Sequence, residues 1–157
     1  EGEHLLSLTN KVLTLSKLEN HQLKLEKDTC CVRSMLEDLA EKYKAKAVKH
    51  IVYKWNLQTD TVYADEEFLK EALSNLIDNA IKYSKESVEI NITSEESECY
   101  TILKVCDNGL GISEADQKVI LQKYERATAA KRSCKNGASG FGLGLNFVDQ
   151  VIKAHEG

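Results

Sequence analysis

Residues 71–84 read EALSNLIDNAIKYS, and this stretch decides the fold. A helix turns by about 100° per residue, so it separates the side chains of this region into two opposite sides. The apolar side comprises Leu69, Leu73, Leu76, Ile77 and Ala80. The polar side comprises Asn75, Asn79, Lys82 and Tyr83. The pattern predicts a helix that packs one side into a core and presents the other to solvent or to a ligand.

The asparagines on the polar side need an explanation, because Asn disfavours a helix by up to about 0.7 kcal/mol relative to Ala. A solvated surface without any ligand is one explanation. A binding function is the other: the carboxamide oxygen of Asn79 suits a hard cation such as Mg²⁺, which keeps its other positions for water and phosphate oxygens. Lys82 would then meet the phosphate charge.

Length and charge limit the classes of protein to consider. The 157 residues suffice for one domain with an appendage, since domains peak at about 100 to 150 residues. The net charge of −4 argues against a nucleic-acid or anionic-membrane surface. No apolar run reaches the roughly 18 residues of a membrane span. Because the chain opens at Glu1 without Met and stops at Gly157 just after a helical pattern, we expect a fragment of a longer protein.

The cysteines have neither the spacing of a zinc site nor that of a disulfide framework. They are Cys30, Cys31, Cys99, Cys106 and Cys134. We expect free thiols in a reducing, cytoplasmic compartment. The histidines form no cluster in the sequence, so none is assigned a catalytic or metal role.

The chain before the central helix contains two helical patterns and two short strand patterns. A first amphipathic helix follows from the spacing of Leu5, Leu8, Val12, Leu15 and Leu18. Ser34 is placed to cap a second helix over residues 35–46. Period-two alternation predicts a strand over residues 51–57, with residues 61–64 as its partner. Asp65 then stands at the N-cap position of the central helix.

The chain after the central helix begins with two alternating runs, residues 88–92 and 100–105, which predict a hairpin with its turn at residues 94–98. Ser113 and Asp116 resemble a capping box that opens a helix to about Tyr124. A small, polar and basic stretch, residues 127–139, is predicted to be a mobile lid. A glycine-rich run from Gly140 to Leu145 then opens a last helix through Ile152.

Asp107 and the last glycine run are the candidate binding elements outside the central helix. Asp107 ends a strand and precedes Gly109 and Gly111, which is either an Asx turn or a carboxylate that accepts a hydrogen bond from the exocyclic amine of adenine. The run at residues 140–145 is either a flexible lead-in or a phosphate site at a helix N-terminus. Lys123 and Arg126 are either phosphate-binding or ordinary surface residues.

In this order and spacing, the chain resembles the ATP-binding catalytic domain of sensor histidine kinases, in the superfamily that includes DNA gyrase, heat-shock chaperones and mismatch-repair ATPases. Residues 75–84 look like the N box of the family, residues 107–111 like its first glycine box, and residues 140–145 like its second. The resemblance covers about Leu25 to Gly157, and the three boxes together are highly specific.

The resemblance implies a role for each matching residue. Asn79 would hold Mg²⁺, Asn75 and Lys82 would contact the phosphates of ATP, Tyr83 would lie against adenine, and Asp107 would bind the adenine amine. Lys123 and Arg126 would support transfer. The glycine boxes would contribute further nucleotide contacts from Gly109, Gly111, Ile112, Gly140, Phe141, Gly142, Leu143, Gly144 and Leu145.

The resemblance also implies the architecture and the partners. The expected fold class is α+β, a two-layer α/β sandwich with helices on one face of a mixed sheet. Residues 1–24 would be the end of a dimerisation helix hairpin with its connector, and residues 25–157 the catalytic domain without its closing strands. The expected partners are a response regulator receiver domain and a second copy of the chain, with no nucleic acid and no membrane contact.

Two features bear on the reaction. The F box of the family has two aromatic residues before its arginine, whereas Leu121 stands in the first of these positions and Tyr124 in the second. The ATP hydrolases and serine-directed kinases of the superfamily generally carry a glutamate where Asn75 stands, and Asn75 cannot take a proton. A neutral histidine nucleophile needs less help, which favours a histidine kinase whose phosphoacceptor lies outside this chain. The alternatives are an ATP hydrolase of the gyrase or chaperone type and a non-catalytic nucleotide sensor.

Overall fold

A computed structural model describes residues 2–20, 22–46, 48–122 and 142–157, with backbone only for residues 2–8. The described part contains both helices and strands. In chain order they are α1 (Gly2–Glu19), β1 (Asp28–Cys31), α2 (Val32–Lys46), β2 (His50–Leu57), β3 (Thr61–Ala64), α3 (Glu66–Tyr83), β4 (Ser87–Glu96), β5 (Thr101–Asp107), α4 (Glu114–Gln117) and α5 (Gly144–Ala154).

The larger sheet is mixed, as predicted, and has the strand order β2-β4-β5. Strand β2 runs parallel to β4, with Ile51 opposite Val88, and β4 runs antiparallel to β5, with Ile92 opposite Val105. The predicted hairpin is therefore confirmed, although β4 continues to Glu96 and the turn falls later than predicted. The α+β class and the two-layer arrangement are confirmed.

The prediction that residues 61–64 pair with β2 is wrong, because β3 pairs with β1 in a separate two-stranded sheet. The buried Ser94 of β4 explains the difference. Its hydroxyl donates to Thr59 O at 2.6 Å and accepts from Thr59 N at 3.1 Å, and Gln58 N donates to Ser94 O at 3.1 Å. These bonds hold the chain at the end of β4, so β3 continues towards β1 rather than folding back on β2.

Helices α2 and α3 cover one face of the sheet and share a core with it. This core includes Met35, Leu36, Leu39, Leu69, Leu73, Ile77, Val88, Ile90 and Ile92. The prediction of Ser34 as an N-cap is wrong, since α2 begins at Val32 and Ser34 lies inside the helix. Val32 is fully buried and its amide donates to Asp60 O at 2.7 Å, so the apolar stripe starts one turn earlier than expected.

The central helix α3 begins and packs as its sequence predicts, with one exception. The Asp65 carboxylate accepts from Phe68 N at 3.2 Å, which confirms the N-cap. Leu76 is only half-buried, and Ala72 takes its place on the buried side. Within the described residues, no helix is both long enough and apolar enough to cross a membrane.

A second core joins α1 to α3 and α5. It consists of Leu15, Leu18, Ala72, Leu143, Phe147 and Val151. Next to it, Asp65 Oδ2 accepts from Glu26 N at 2.9 Å, and Asp65 N donates to His155 Nε2 at 2.9 Å. Since Nε2 accepts, the proton of this imidazole is on Nδ1, which donates to Val151 O at 2.7 Å. The connector after α1 and the end of α5 are thereby fixed to the start of α3.

The segment after β5 begins as predicted but is less helical. Ser113 Oγ accepts from Asp116 N at 3.2 Å and donates to Asp116 Oδ2 at 2.8 Å, which confirms the cap. Helix α4 ends at Gln117 rather than near Tyr124, and the chain continues in turns to Gln122. The predicted lid at residues 127–139 lies outside the described residues.

Candidate functional site

The polar side of α3 lies against the start of α5. A Cβ on Gly144 would lie 3.2 Å from Asn75 Oδ1, so the missing side chain allows the two helices to approach closely. Leu143 at the N-cap makes no side-chain capping bond. Unpaired backbone amides at a helix N-terminus attract anions through both hydrogen bonds and the helix dipole. This end of α5 therefore has the chemistry of a phosphate site.

The turn after β5 is bound to the other end of α3. Leu110 N donates to Tyr83 O at 3.0 Å, and a Cβ on Gly109 would lie 3.1 Å from the same oxygen. Asp107 Oδ1 accepts from Gly109 N at 2.7 Å, which is the local Asx turn that the sequence allowed. Within the described part of the chain, Asp107 Oδ2 makes no hydrogen bond. One carboxylate oxygen thus shapes the turn, and the other is available to a ligand.

The side chains of Lys49 and Asn108 hold this arrangement in place. Lys49 Nζ donates to Ile81 O and to Ser84 O, each at 2.7 Å, and so pairs carbonyl groups at the end of α3. Asn108 Oδ1 accepts from Glu89 N at 2.9 Å, which anchors the turn to the start of β4. The end of α3 and the turn after β5 are therefore positioned as one unit.

The polar side chains of α3 differ in their engagement. Asn79 is half-buried, and its side chain makes no hydrogen bond with any other described residue. Lys82 Nζ is paired with Asp78 Oδ2 at 2.6 Å. Asn75 is engaged at both ends: Nδ2 donates to Glu71 O at 2.8 Å and Oδ1 accepts from Lys11 Nζ at 2.7 Å. Asn79 is thus free to bind a metal ion, whereas Asn75 and Lys82 would exchange partners on binding a ligand.

Lys11 is a residue at this site that the sequence interpretation missed. Its Nζ lies 3.7 Å from Glu71 Oε1 and 5.3 Å from the ring centroid of Phe147. Burial lowers the pKa of Lys11 below its ordinary value, and the Glu71 carboxylate partly offsets this effect. A signal was present: Lys11 follows Leu8 by three residues and precedes Leu15 by four, so a helix places it on the same side as these apolar residues.

Asn146 is a second residue that the sequence interpretation missed. It is buried in the first turn of α5, and its Nδ2 donates to Leu121 O at 2.9 Å. Its Oδ1 is buried and has no hydrogen-bond partner among the residues that the structure describes. A buried acceptor left unpaired costs about 1–3 kcal/mol, so this oxygen is a place where a donor from water or a ligand fits.

The structure places some of the predicted site residues in contact with one another. Asn75 meets Gly144, Gly109 meets the backbone oxygen of Tyr83, and Leu143 is buried in the core beside α1. Gly111 and Gly142 both have φ of +70°, a conformation that glycine adopts without strain.

The remaining predicted site residues differ in their exposure. Ile112 is exposed and Leu145 is half-buried. The predicted contacts of Lys123, Arg126, Gly140 and Phe141 lie outside the described residues.

The site suits a magnesium ion that substrate phosphates help to coordinate. Among the described residues, no group of three His, Cys, Asp or Glu side chains is arranged to hold a metal by itself. Mg²⁺ at phosphate sites typically takes only one or two protein oxygens and completes its shell with water and phosphate. The free carboxamide of Asn79 fits that requirement.

A family model described as "Histidine kinase-, DNA gyrase B-, and HSP90-like ATPase" matches residues 64–157. The chain therefore belongs to this family, which confirms the resemblance drawn from its three boxes.

Its relatives are sensor histidine kinases. Sensor histidine kinase RppB of Synechocystis sp. is 33% identical over 100% of this chain and 35% of its own length. Adaptive-response sensory kinase SasA of Crocosphaera subtropica is 31% identical over 96% of this chain and 39% of its own length.

Solved structures agree with these relatives. Acinetobacter baumannii histidine kinase AdeS has 29% identity and a TM-score of 0.77, with coverage of 97% of this chain and 68% of that one. Full-length ShkA, solved in complex with AMPPNP, has 27% identity and a TM-score of 0.79, with coverage of 98% and 31%. The chain spans little more than a third of the length of the curated relatives RppB and SasA.

Proposed function

We propose that this chain is the ATP-binding catalytic domain of a two-component sensor histidine kinase. It transfers the γ-phosphoryl group of Mg·ATP to a histidine of the dimerisation domain, in the cytoplasm. Family membership and the sensor-kinase relatives support the class. The observation that carries the proposal is the bond from Leu110 N to Tyr83 O at 3.0 Å, which brings Asp107 beside the helix that bears Asn75 and Asn79.

Binding of the adenine ring is assigned to the end of α3 and the turn after β5. Asp107 Oδ2 accepts from the exocyclic amine, while Oδ1 keeps its bond to Gly109 N. Tyr83 lies against the ring, and Ile112 shields it from the other side. Guanine carries a carbonyl where adenine has its amine, so it would leave this carboxylate unpaired at a cost of about 1–3 kcal/mol.

Binding of the phosphates is assigned to the start of α5 and the middle of α3. The amides that follow Gly142 and Gly144 donate to phosphate oxygens, and Asn75 and Lys82 contact the phosphate chain. Asn79 holds Mg²⁺, which supplies charge neutralisation when it is bound. Further contacts come from Gly140, Phe141, Leu145, Lys123 and Arg126, while Leu143 is buried at the start of α5.

The acceptor chemistry follows from the side chain at position 75. A carboxamide cannot take a proton, so Asn75 is unable to activate water as a general base. A neutral imidazole nitrogen is already nucleophilic, and positioning with charge neutralisation suffices for its attack on phosphorus. Residues 1–24 are assigned to the dimerisation hairpin and residues 25–157 to the catalytic domain. The partners are a second copy of the protein and a response regulator receiver domain.

Nucleotide selectivity tests the binding half of the proposal. We expect calorimetric titration to show binding of ATP and ADP, tighter with Mg²⁺, and about tenfold or more weaker binding of GTP.

Asp107→Asn leaves one oxygen to serve both Gly109 N and the adenine amine, so ATP affinity falls by roughly 5- to 100-fold while GTP affinity changes little. Asp60→Asn, at an exposed ion pair with Arg33, is the control. Equal loss for both nucleotides in Asp107→Asn contradicts the adenine assignment.

Phosphotransfer tests the catalytic half. With labelled Mg·ATP we expect no stable label on this chain alone, and acid-labile label on a separately supplied dimerisation hairpin that carries the phosphoacceptor histidine. Steady ATP turnover without the hairpin would favour the hydrolase of the gyrase or chaperone type. Nucleotide binding without turnover or transfer would favour a non-catalytic nucleotide sensor.

A further inference from the structure

The side chain of Lys11 reaches from α1 to the point where α3 and α5 meet. Its Nζ donates to Asn75 Oδ1 at 2.7 Å. The same oxygen lies 3.2 Å from the position that a Cβ on Gly144 would occupy. The ammonium group and the first turn of α5 are therefore both adjacent to a single atom of Asn75. We infer that Lys11 is a further binding residue for the phosphate end of the nucleotide, supplied by α1; this inference rests on the proposed function.

The charges around Lys11 suit an incoming anion. The Lys11 side chain is 25% exposed, and its nearest acid, Glu71, lies 3.7 Å away. Asp78 also attracts Lys11, but that carboxylate is already paired with Lys82. Lys82 in turn repels Lys11. A phosphate group beside Asn75 relieves the repulsion between the two ammonium groups and offsets the cost of burying the Lys11 charge.

The donors of Lys11 allow it to bind phosphate without leaving Asn75. An ammonium group has three N–H donors, and one of them is directed at Asn75 Oδ1. Because the cation holds the oxygen of this carboxamide, the amide nitrogen is the end left for an anionic ligand. That nitrogen now donates to Glu71 O within the helix, a bond that it exchanges for phosphate. Lys11 thus both adds positive charge and sets the orientation of Asn75.

The contact also links α1 to the nucleotide. Lys11 lies 5.3 Å from the ring centroid of Phe147, in the core that joins α1 to α5. If the docked helix α1 strengthens phosphate binding, then bound nucleotide strengthens the docking of α1 by the same factor. The nucleotide and the dimerisation helix are positively coupled through one side chain.

The test compares ATP, ADP and AMP in calorimetric titrations of the whole 157-residue chain. Lys11→Met removes the charge and keeps much of the apolar stem, and we expect ATP to bind roughly 3- to 10-fold more weakly, ADP less so, and AMP unchanged. Lys11→Arg retains the charge and restores most of the ATP affinity. Lys17→Met, at an exposed lysine of the same helix, is the matched control and leaves all three affinities unchanged. Urea unfolding checks that Lys11→Met remains folded.

Each other outcome has a distinct meaning. Equal weakening of ATP, ADP and AMP in Lys11→Met overturns the inference, because the loss then does not depend on phosphate charge. Tighter ATP binding also overturns it, since Lys11 would then hold Asn75 away from the nucleotide. Unchanged ATP affinity in Lys11→Met, with normal binding by the unmodified chain, overturns this inference alone. Absence of ATP binding by the unmodified chain overturns both the inference and the proposed function.

Discussion

Replacing Asn79 by alanine is expected to abolish the Mg²⁺-dependent part of ATP affinity. Asn79 is half-buried on the polar side of α3, and its carboxamide has no hydrogen-bond partner among the described residues. The variant removes an oxygen ligand, and we expect ATP affinity in Mg²⁺ to fall by about 10- to 100-fold, towards the value measured with a chelator. Titration of ATP with and without Mg²⁺ measures this change.

The controls separate the metal role from a structural one. Alanine is the better helix former by up to about 0.7 kcal/mol, so Asn79→Ala should unfold at the same urea concentration as the unmodified chain or a higher one. Asn79→Asp keeps an oxygen ligand and should retain Mg²⁺ dependence. Asn91→Ala, at an exposed position of β4, should change neither property. Unchanged affinity in Asn79→Ala would exclude this residue as the metal ligand.

Replacing Phe147 by alanine is expected to cost about 3–5 kcal/mol of unfolding free energy, the usual range for a large aromatic residue in a core. Phe147 is fully buried, and its ring stacks on that of Phe68 with centroids 6.5 Å apart. It joins α1, α3 and α5 in one apolar cluster. The resulting cavity is surrounded by three helices, so it closes only in part. Urea unfolding, monitored by tryptophan fluorescence and circular dichroism, measures the loss.

The matched control for Phe147 is on the same helix. Ile152 is 41% exposed, so Ile152→Ala should cost well under half as much. If Phe147→Ala loses less than about 1.5 kcal/mol, the cluster between α1 and α5 does not carry the stability assigned to it.

Local patterns predicted the elements whose formation depends on neighbours in sequence. Helix α3 has a clear apolar side, and its cap at Asp65 is set by a residue three positions away. The hairpin of β4 and β5 follows from two alternating runs close together in the chain. The three boxes predicted the family because their order and spacing are specific, even though each alone allowed a structural explanation.

Contacts between distant residues decided what the sequence could not predict. The pairing of β3 depends on Ser94 of β4, whose hydroxyl donates to the backbone oxygen of Thr59 in the segment between β2 and β3. The bond from Lys11 to Asn75 joins residues 64 positions apart. Periodicity identifies the faces of α1 and α3, but it does not tell which faces meet. The early start of α2 is different, because the apolar stripe already includes Val32, and burial of this residue outweighs the capping preference of Ser34.

The core that α1 shares with α3 and α5 determines where the chain can be truncated. Cutting at the predicted boundary after residue 24 would remove Leu15 and Leu18, the partners that cover Phe147 and Val151. The truncated protein would expose the apolar side of α5 to solvent. We expect it to self-associate, which would interfere with measurements of ligand affinity. A protein that keeps the eighteen residues of α1 should remain monodisperse. The same result is expected if the newly exposed apolar residues of α5 are replaced by polar ones.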